Sequence, residues 1–218
     1  SKGNVVDPLD IVDEYGADTL RTYVLFMGDY GAAAPWNPSS VKGCKRFLDR
    51  VAGLTDMIVD GEVTKELETK FHKAIKKVSA DIEETKFNTA IACLMGLIND
   101  IYAVGKVTKA EVGTFVKLLS PFAPHLAEEI WEFLGNDTLL AISSWPVYDE
   151  AKTVDDTVEI GVQIKGKVKA VVAIPRNCSK EEAFELAKAD EKIAQILEGM
   201  TIIKEIYVPN KIINFVTK

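Results

Sequence analysis

The sequence predicts a mainly α-helical protein, an antiparallel helix bundle followed by a small α+β domain of two hairpins and one or two helices. Apolar residues recur at helical spacing through most of residues 7–135, and they alternate with a period of two from residue 158 to residue 174. The 218 residues are 47% hydrophobic and 27% charged, which is an ordinary globular composition with enough chain for one or two cores.

Seven helices are expected before residue 136, two in the predicted junction and five in the predicted bundle, each with its own start or stop signal. Pro often occupies the first turn of a helix and Gly often ends it, while Ser, Thr, Asn and Asp cap its start. The predicted caps are Asp7, Ser39 or Ser40, Asn88, and Thr108, which forms a capping box with Glu111. The predicted helices cover residues 7–16, 17–27, 39–59, 64–84, 88–105, 108–119 and 120–135.

The last of these helices, SPFAPHLAEEIWEFLG, has the clearest boundaries. Pro121 and Pro124 suit a first turn, and Gly135 suits the end. Its inward stripe is predicted to be Leu126, Ile130, Phe133 and Leu134.

Residues 136–156 lose all periodicity and are predicted to be a flexible tether. Beyond them, Val158 to Ile164 and Val168 to Ile174 form a predicted hairpin around Lys165-Gly166, with Val168 facing inward. Ser179 caps a helix that is either continuous or broken near Asp190, and a second hairpin closes the chain. The predicted domains are therefore a junction at 1–38, the bundle at 39–135, a linker at 136–156 and the small domain at 157–218.

Bulk charge argues against a uniformly basic surface. The net charge is −7, with 10 Lys and Arg against 9 Asp and Glu in residues 156–218 and 16 against 24 in residues 1–155. Any contact with RNA must use local basic faces. No uninterrupted apolar run reaches the roughly 18 residues of a membrane span, so a cytoplasmic protein without a membrane partner is expected.

The third predicted helix carries such a basic face, opposite its apolar stripe. Lys42, Lys45, Arg46 and Arg50 fall within about a third of the helix circumference. Two interpretations stay open, a solvated face that includes Asp49 and a ridge that contacts phosphates.

No catalytic or metal-binding pattern is evident. The chain lacks phosphate-loop, dinucleotide and nucleophile-elbow motifs, and Cys44, Cys93 and Cys178 are too far apart for a local metal site, so they are expected to be reduced thiols. His125 has Glu128 and Glu129 at i+3 and i+4, a pattern more often a helix-surface contact than an acid–base pair.

Several stretches together resemble the C-terminal part of bacterial leucyl-tRNA synthetases, which are class I aminoacyl-tRNA synthetases. Residues 1–8 resemble the segment after the Lys-Met-Ser-Lys-Ser loop, and residues 15–21 resemble the next segment of the class. Residues 120–131 and Trp145-Pro146 are similar in the leucine, valine and isoleucine enzymes. The segments that select the leucine enzyme resemble its appended C-terminal domain and lie at residues 162–175, 180–193 and 208–216.

This resemblance implies a fragment that holds tRNA-Leu next to the upstream catalytic domain of the same chain, most simply as a monomer. The parent enzyme would use ATP and Mg²⁺, whereas the fragment would bind no cofactor or metal. Only Ser1 of the ATP loop would remain, so no catalytic residue is expected here. The residues expected to contact tRNA are Lys42, Lys45, Arg46, Arg50, Lys165, Lys167, Lys169 and Arg176.

The alternatives are the equivalent region of a valyl- or isoleucyl-tRNA synthetase, or a helical interaction scaffold without catalytic function. The segments after residue 157 disfavour the first. A solvated role for every basic face would favour the second.

Overall fold

The computed structural model describes residues 5–28, 35–61, 65–155 and 157–218. The chain divides into two compact units, Ser1–Thr153 and Val154–Lys218. Ser1 itself lies outside the described residues. The first unit is helical and the second combines a sheet with two helices, which confirms the predicted fold class.

Seven α-helices account for most of the described part of the first unit. They are α1 (Pro8–Tyr15), α2 (Ala17–Phe26), α3 (Pro38–Ala52), α4 (Lys65–Glu83), α5 (Phe87–Val104), α6 (Lys109–Leu119) and α7 (Pro124–Phe133).

Helix α5 forms the centre of the bundle core. Its predicted apolar stripe is buried throughout, at Ala90, Ile91, Leu94, Leu97, Ile98 and Ile101. The same composition makes α5 the one helix among the described residues that is long and apolar enough to cross a membrane. Because its stripe packs into the core of the bundle, its apolar character is explained by the fold.

The caps confirm part of the predicted pattern. Asp7 caps α1, and Thr108 with Glu111 forms the predicted capping box of α6. Two predictions are wrong. Asn37 rather than Ser39 or Ser40 caps α3, with Pro38 in the first turn, and α5 begins at Phe87, before the proposed cap Asn88.

Helix α3 is shorter than predicted. It ends at Ala52, and a 3-10 turn over Gly53–Met57 leads into β1 (Ile58–Val59). This short strand pairs in parallel with β2 (Val107–Thr108), just before α6. Two-residue strands carry no measurable periodicity, so the sequence could not indicate this pairing.

Helix α7 also starts later than predicted. It begins at Pro124, so Pro121 lies in the preceding turn, while Gly135 adopts the predicted left-handed conformation with φ of 88°. Phe133 was expected to face the core but is 64% exposed, and the fully buried positions of this helix are Ala127 and Ile130.

The predicted tether is largely packed against the helical unit. Trp145 Nε1 donates to Ser79 Oγ at 2.8 Å, and the Asp149 N–H donates to His72 Nδ1 at 2.9 Å, both on α4. Ion pairs join Lys76 to Glu150 and Lys152 to Glu68. Residues 140–153 therefore differ from a flexible tether, and the two units divide after Thr153.

The second unit is a four-stranded sheet with two helices on one face. Strands β3 (Thr157–Ile164), β4 (Lys167–Pro175), β5 (Ile202–Val208) and β6 (Ile212–Thr217) lie in the order β4-β3-β6-β5. Both predicted hairpins are present, and β3 pairs in parallel with β6. Helices α8 (Lys180–Ala189) and α9 (Glu191–Leu197) break at Asp190, which caps α9.

Candidate nucleic-acid interface

The four cations of α3 differ in how firmly they are held. Lys42 and Arg46 are exposed, lie one turn apart and have no hydrogen-bond or ion-pair partner among the described residues. Lys45 instead pairs with Asp49 along the same helix. Lys42 and Arg46 are therefore the members of this group that are free to meet an incoming phosphate.

Arg50 is held against α5. Its Nη1 donates to Asn99 Oδ1 at 2.6 Å, and its guanidinium lies 4.4 Å from the centre of the Tyr102 ring. The Tyr102 hydroxyl donates in turn to the Arg50 carbonyl at 2.9 Å and lies so close to Gly53 that a Cβ there would approach it to 2.8 Å. Arg50 thus joins α3 to α5, an interaction the helical wheel of α3 alone could not reveal.

The lysines of the first hairpin do not lie in one row as predicted. A β-bulge shifts the register between Val162 and Gln163, so Val168 pairs with Gln163 and Lys169 has no directly paired residue. Val168 contacts the face of Gly161 and is 56% exposed, which corrects its predicted inward position. Lys167 pairs with Ile164 directly after the turn, so it lies on the face of the buried Ile164 and on the opposite face from Val168.

The other two predicted cations lie at the two ends of the hairpin. Lys165 occupies the tight turn with φ of 51°, and its N–H donates to the Phe215 carbonyl at 3.1 Å. Arg176 follows β4, and its Nε donates to the Asp155 carbonyl at 3.0 Å. All four hairpin cations are exposed, but they point from a turn, a bulge and a strand end rather than from one face.

The lysines of α4 are paired with acids in most cases. Lys70 Nζ lies 3.7 Å from Asp100 Oδ1, and Lys77 Nζ lies 2.8 Å from Asp81 Oδ2. Lys76 forms an ion pair with Glu150. The carboxylate of Glu150 raises the pKa of Lys76 and keeps it charged. This face is therefore less available to phosphates than that of α3.

His125 and Asp18 form a cluster that motif analysis did not connect. His125 Nδ1 lies 2.8 Å from Asp18 Oδ1, Arg21 Nη1 donates to the same oxygen at 2.9 Å, and the Leu126 N–H donates to Asp18 Oδ2 at 2.9 Å. The Asp18 side chain is 11% exposed, whereas that of His125 is 73% exposed. The carboxylate therefore caps α7 from a helix far away in the chain.

Glu128, which follows His125 by one turn, has another role. Both oxygens of Glu128 accept backbone N–H groups, from Leu140 at 2.8 Å and Ala141 at 2.9 Å. No group of three or more His, Cys, Asp and Glu residues positioned to hold a metal is found within the described ranges. Glu128 thus fixes the segment after α7.

The three cysteines are free thiols, as predicted. Cys44 is 1% exposed, and burial raises the pKa of its thiol to about 11. Burial also raises the pKa of Cys93. Since the thiolate is the reactive form, Cys44 is a packing residue rather than a nucleophile.

With this geometry in place, comparison with known proteins defines the class. The model of the family described as the anticodon-binding domain of tRNA ligase matches residues 64–195, which is more than half of the chain. The chain belongs to this family.

Two individual relatives are leucine enzymes. The chain is 51% identical over 219 aligned residues to the leucine–tRNA ligase of Alkaliphilus oremlandii (strain OhILAs), an alignment that covers 100% of this chain and 27% of that protein. It also matches the crystal structure of the ternary complex of Agrobacterium radiobacter K84 agnB2 LeuRS-tRNA-LeuAMS, with a TM-score of 0.73 and 32% identity, over 100% of this chain and 31% of that one. The chain therefore spans about a third or less of the length of these relatives.

Proposed function

We propose that this chain is the tRNA-holding region of a leucyl-tRNA synthetase and positions tRNA-Leu for leucylation. Its similarity to a leucine–tRNA ligase along its entire length is the observation that carries this function. In this proposal the catalytic domain, with ATP and Mg²⁺, lies upstream in the same cytoplasmic, monomeric enzyme, and the 218 residues alone bind tRNA without activating leucine. Similarity to a synthetase structure solved with tRNA supports the same function.

The proposed contacts on the bundle start with Lys42 and Arg46. Phosphate contacts from Lys and Arg fix the register of a nucleic acid without reading its sequence. Lys45 belongs to the same surface, but it must leave Asp49, an exposed pair of a kind that contributes about 0–1 kcal/mol. Arg50 contacts RNA only with the nitrogen atoms that Asn99 does not occupy.

The second proposed contact surface is the first hairpin of the small unit, with Lys165, Lys167, Lys169 and Arg176. Because these cations spread over a turn, a bulge and a strand end, they suit a curved RNA backbone better than a flat one. Two separate basic surfaces on two units are consistent with a long RNA that contacts both.

Reversing both free charges of α3, with Lys42→Glu and Arg46→Glu, is expected to weaken tRNA-Leu binding. The slope of log affinity against log salt concentration is expected to change by about one for each phosphate that is no longer bound, so by about two for the pair. Fluorescence anisotropy with labelled tRNA-Leu at several salt concentrations measures both quantities.

Lys106→Glu provides a matched control. Lys106 is exposed and precedes Val107, which pairs with Ile58 beyond the far end of α3. This variant should keep the wild-type salt slope. An unchanged slope in the α3 double variant would remove α3 from the interface, and weaker binding with an unchanged slope would show an effect other than phosphate contact.

A further inference from the structure

A groove of about 600 Å³ lies between α4, α6 and the end of α7. Its apolar wall includes Phe71, Ile75, Trp131 and Leu134. This volume falls in the range of about 300–1,000 Å³ that is usual for small-molecule sites. The groove shares no residue with the two basic surfaces described above.

One charged side chain of this groove is incompletely satisfied. Glu111 is 4% exposed, and its Oε2 accepts both the Thr108 N–H at 2.7 Å and the Thr108 hydroxyl at 2.8 Å. Its Oε1 is buried and has no hydrogen-bond partner among the described residues. Buried carboxylate oxygens are rarely left without a donor, so Oε1 is an acceptor that a ligand in this groove can use.

The remaining polar groups define what else the ligand must carry. Lys109 and Lys117 line the same groove, with Lys117 Nζ 5.1 Å from the centre of the Trp131 ring. His72 Nδ1 accepts the Asp149 N–H, so Nε2 carries the proton of the neutral ring and can donate. A ligand that fits these groups has an N–H donor, a flat apolar body and a negative charge.

We propose that this groove binds a free mononucleotide whose base carries an exocyclic amino group. The amino group donates to Glu111 Oε1, as Glu accepts from N4 of cytosine, and the base packs against Phe71 and Trp131. Lys109 and Lys117 neutralise the phosphate. Because Oε1 is buried, ligand entry includes rotation of side chains that line the groove.

Cytidine and uridine monophosphate form a matched pair of probes that differ only in the edge of the base. Cytosine has an amino group at C4 and an unprotonated N3, whereas uracil has a carbonyl at C4 and an N–H at N3. The 218-residue chain is expected to bind the cytidine nucleotide about tenfold more tightly than the uridine nucleotide, because the carbonyl would face a carboxylate oxygen. Isothermal titration calorimetry measures both affinities.

Glu111→Gln should reverse this preference. A capping box accepts Gln in place of Glu, so α6 keeps its cap. The Gln oxygen must then accept the Thr108 N–H, which leaves its NH₂ group where the free oxygen was, and an NH₂ group favours the uridine carbonyl.

The control is Glu132→Gln, which changes an exposed residue of α7 outside the groove and should leave the preference unchanged. Equal affinities for the two nucleotides, or a Glu111→Gln variant that still prefers the cytidine nucleotide, would overturn the proposal. So would the absence of measurable binding of the cytidine nucleotide to the wild-type chain. These results are independent of tRNA affinity.

Discussion

At the scale of single residues, Asp18 connects two segments that are far apart in the chain. It accepts from His125, Arg21 and the Leu126 N–H, so it joins α2 to the first turn of α7. The N-cap residue of α7 is Ala123, which has no side chain that could accept a hydrogen bond. Asp18 therefore provides from a distance the cap that α7 lacks locally.

Asp18→Ala is expected to lower the free energy of unfolding of the helical unit by about 2 kcal/mol. Losing charged hydrogen bonds costs about 1.5–3 kcal/mol, and removing a cap has an effect of similar size. Urea unfolding followed by far-ultraviolet circular dichroism measures the change.

Asp10→Ala, at an exposed position of α1 with no partner among the described residues, should leave the unfolding midpoint where it is. If Asp18→Ala also left it unchanged, the three hydrogen bonds would have no net stabilising role.

Sequence reasoning recognised the segments of Asp18 and His125 but could not join them. The two residues are 107 positions apart, and neither periodicity nor spacing carries information over that distance. The local box of Thr108 and Glu111 was predictable because its two residues lie in one turn.

At the scale of elements, the segment from residue 140 to residue 153 shows how single contacts can replace periodicity. It has two 3-10 turns and no α-helix or strand, yet Glu128, Ser79 and His72 bind it at successive points. A segment held by individual hydrogen bonds has no repeating apolar pattern, so its sequence looked like a linker.

Hydrogen exchange can distinguish a packed segment from a free one. The amides of Leu140 and Ala141 are expected to exchange slowly in the wild-type chain, and Glu128→Ala should speed their exchange because it removes both acceptors. Mass spectrometry of peptides from this segment measures the difference.

Glu132→Ala, one turn further along α7 and exposed, should leave those rates unchanged. Immediate exchange of both amides in the wild-type chain would contradict a packed segment and would support the flexible tether that the sequence predicted.

At the scale of the whole molecule, the sequence predicted the fold class because the apolar period changes from that of helices to that of strands. It also predicted both hairpins. It left a continuous helix and a break near Asp190 open, and the structure shows the break. The sequence did not predict the order of the strands in the sheet, because the parallel pairing of β3 with β6 depends on how the two hairpins meet. The bulge at Lys169 was equally hidden, and it decides where the hairpin lysines lie.

The same limit applies to the candidate interface. Helical spacing grouped Lys42, Lys45, Arg46 and Arg50, but only the three-dimensional contacts separate the two free cations from those that pair with Asp49 and Asn99. Charge on a helical wheel shows where cations lie and not which of them are already bound.

We propose that this chain holds tRNA-Leu through phosphate contacts. The most direct test is the affinity of the wild-type chain for tRNA-Leu as a function of salt concentration. We expect the affinity to fall steeply as salt rises, with a slope of log affinity against log salt of about −0.7 to −0.9 for each phosphate contact. Affinity that does not change with salt, or no binding at low salt, would contradict it.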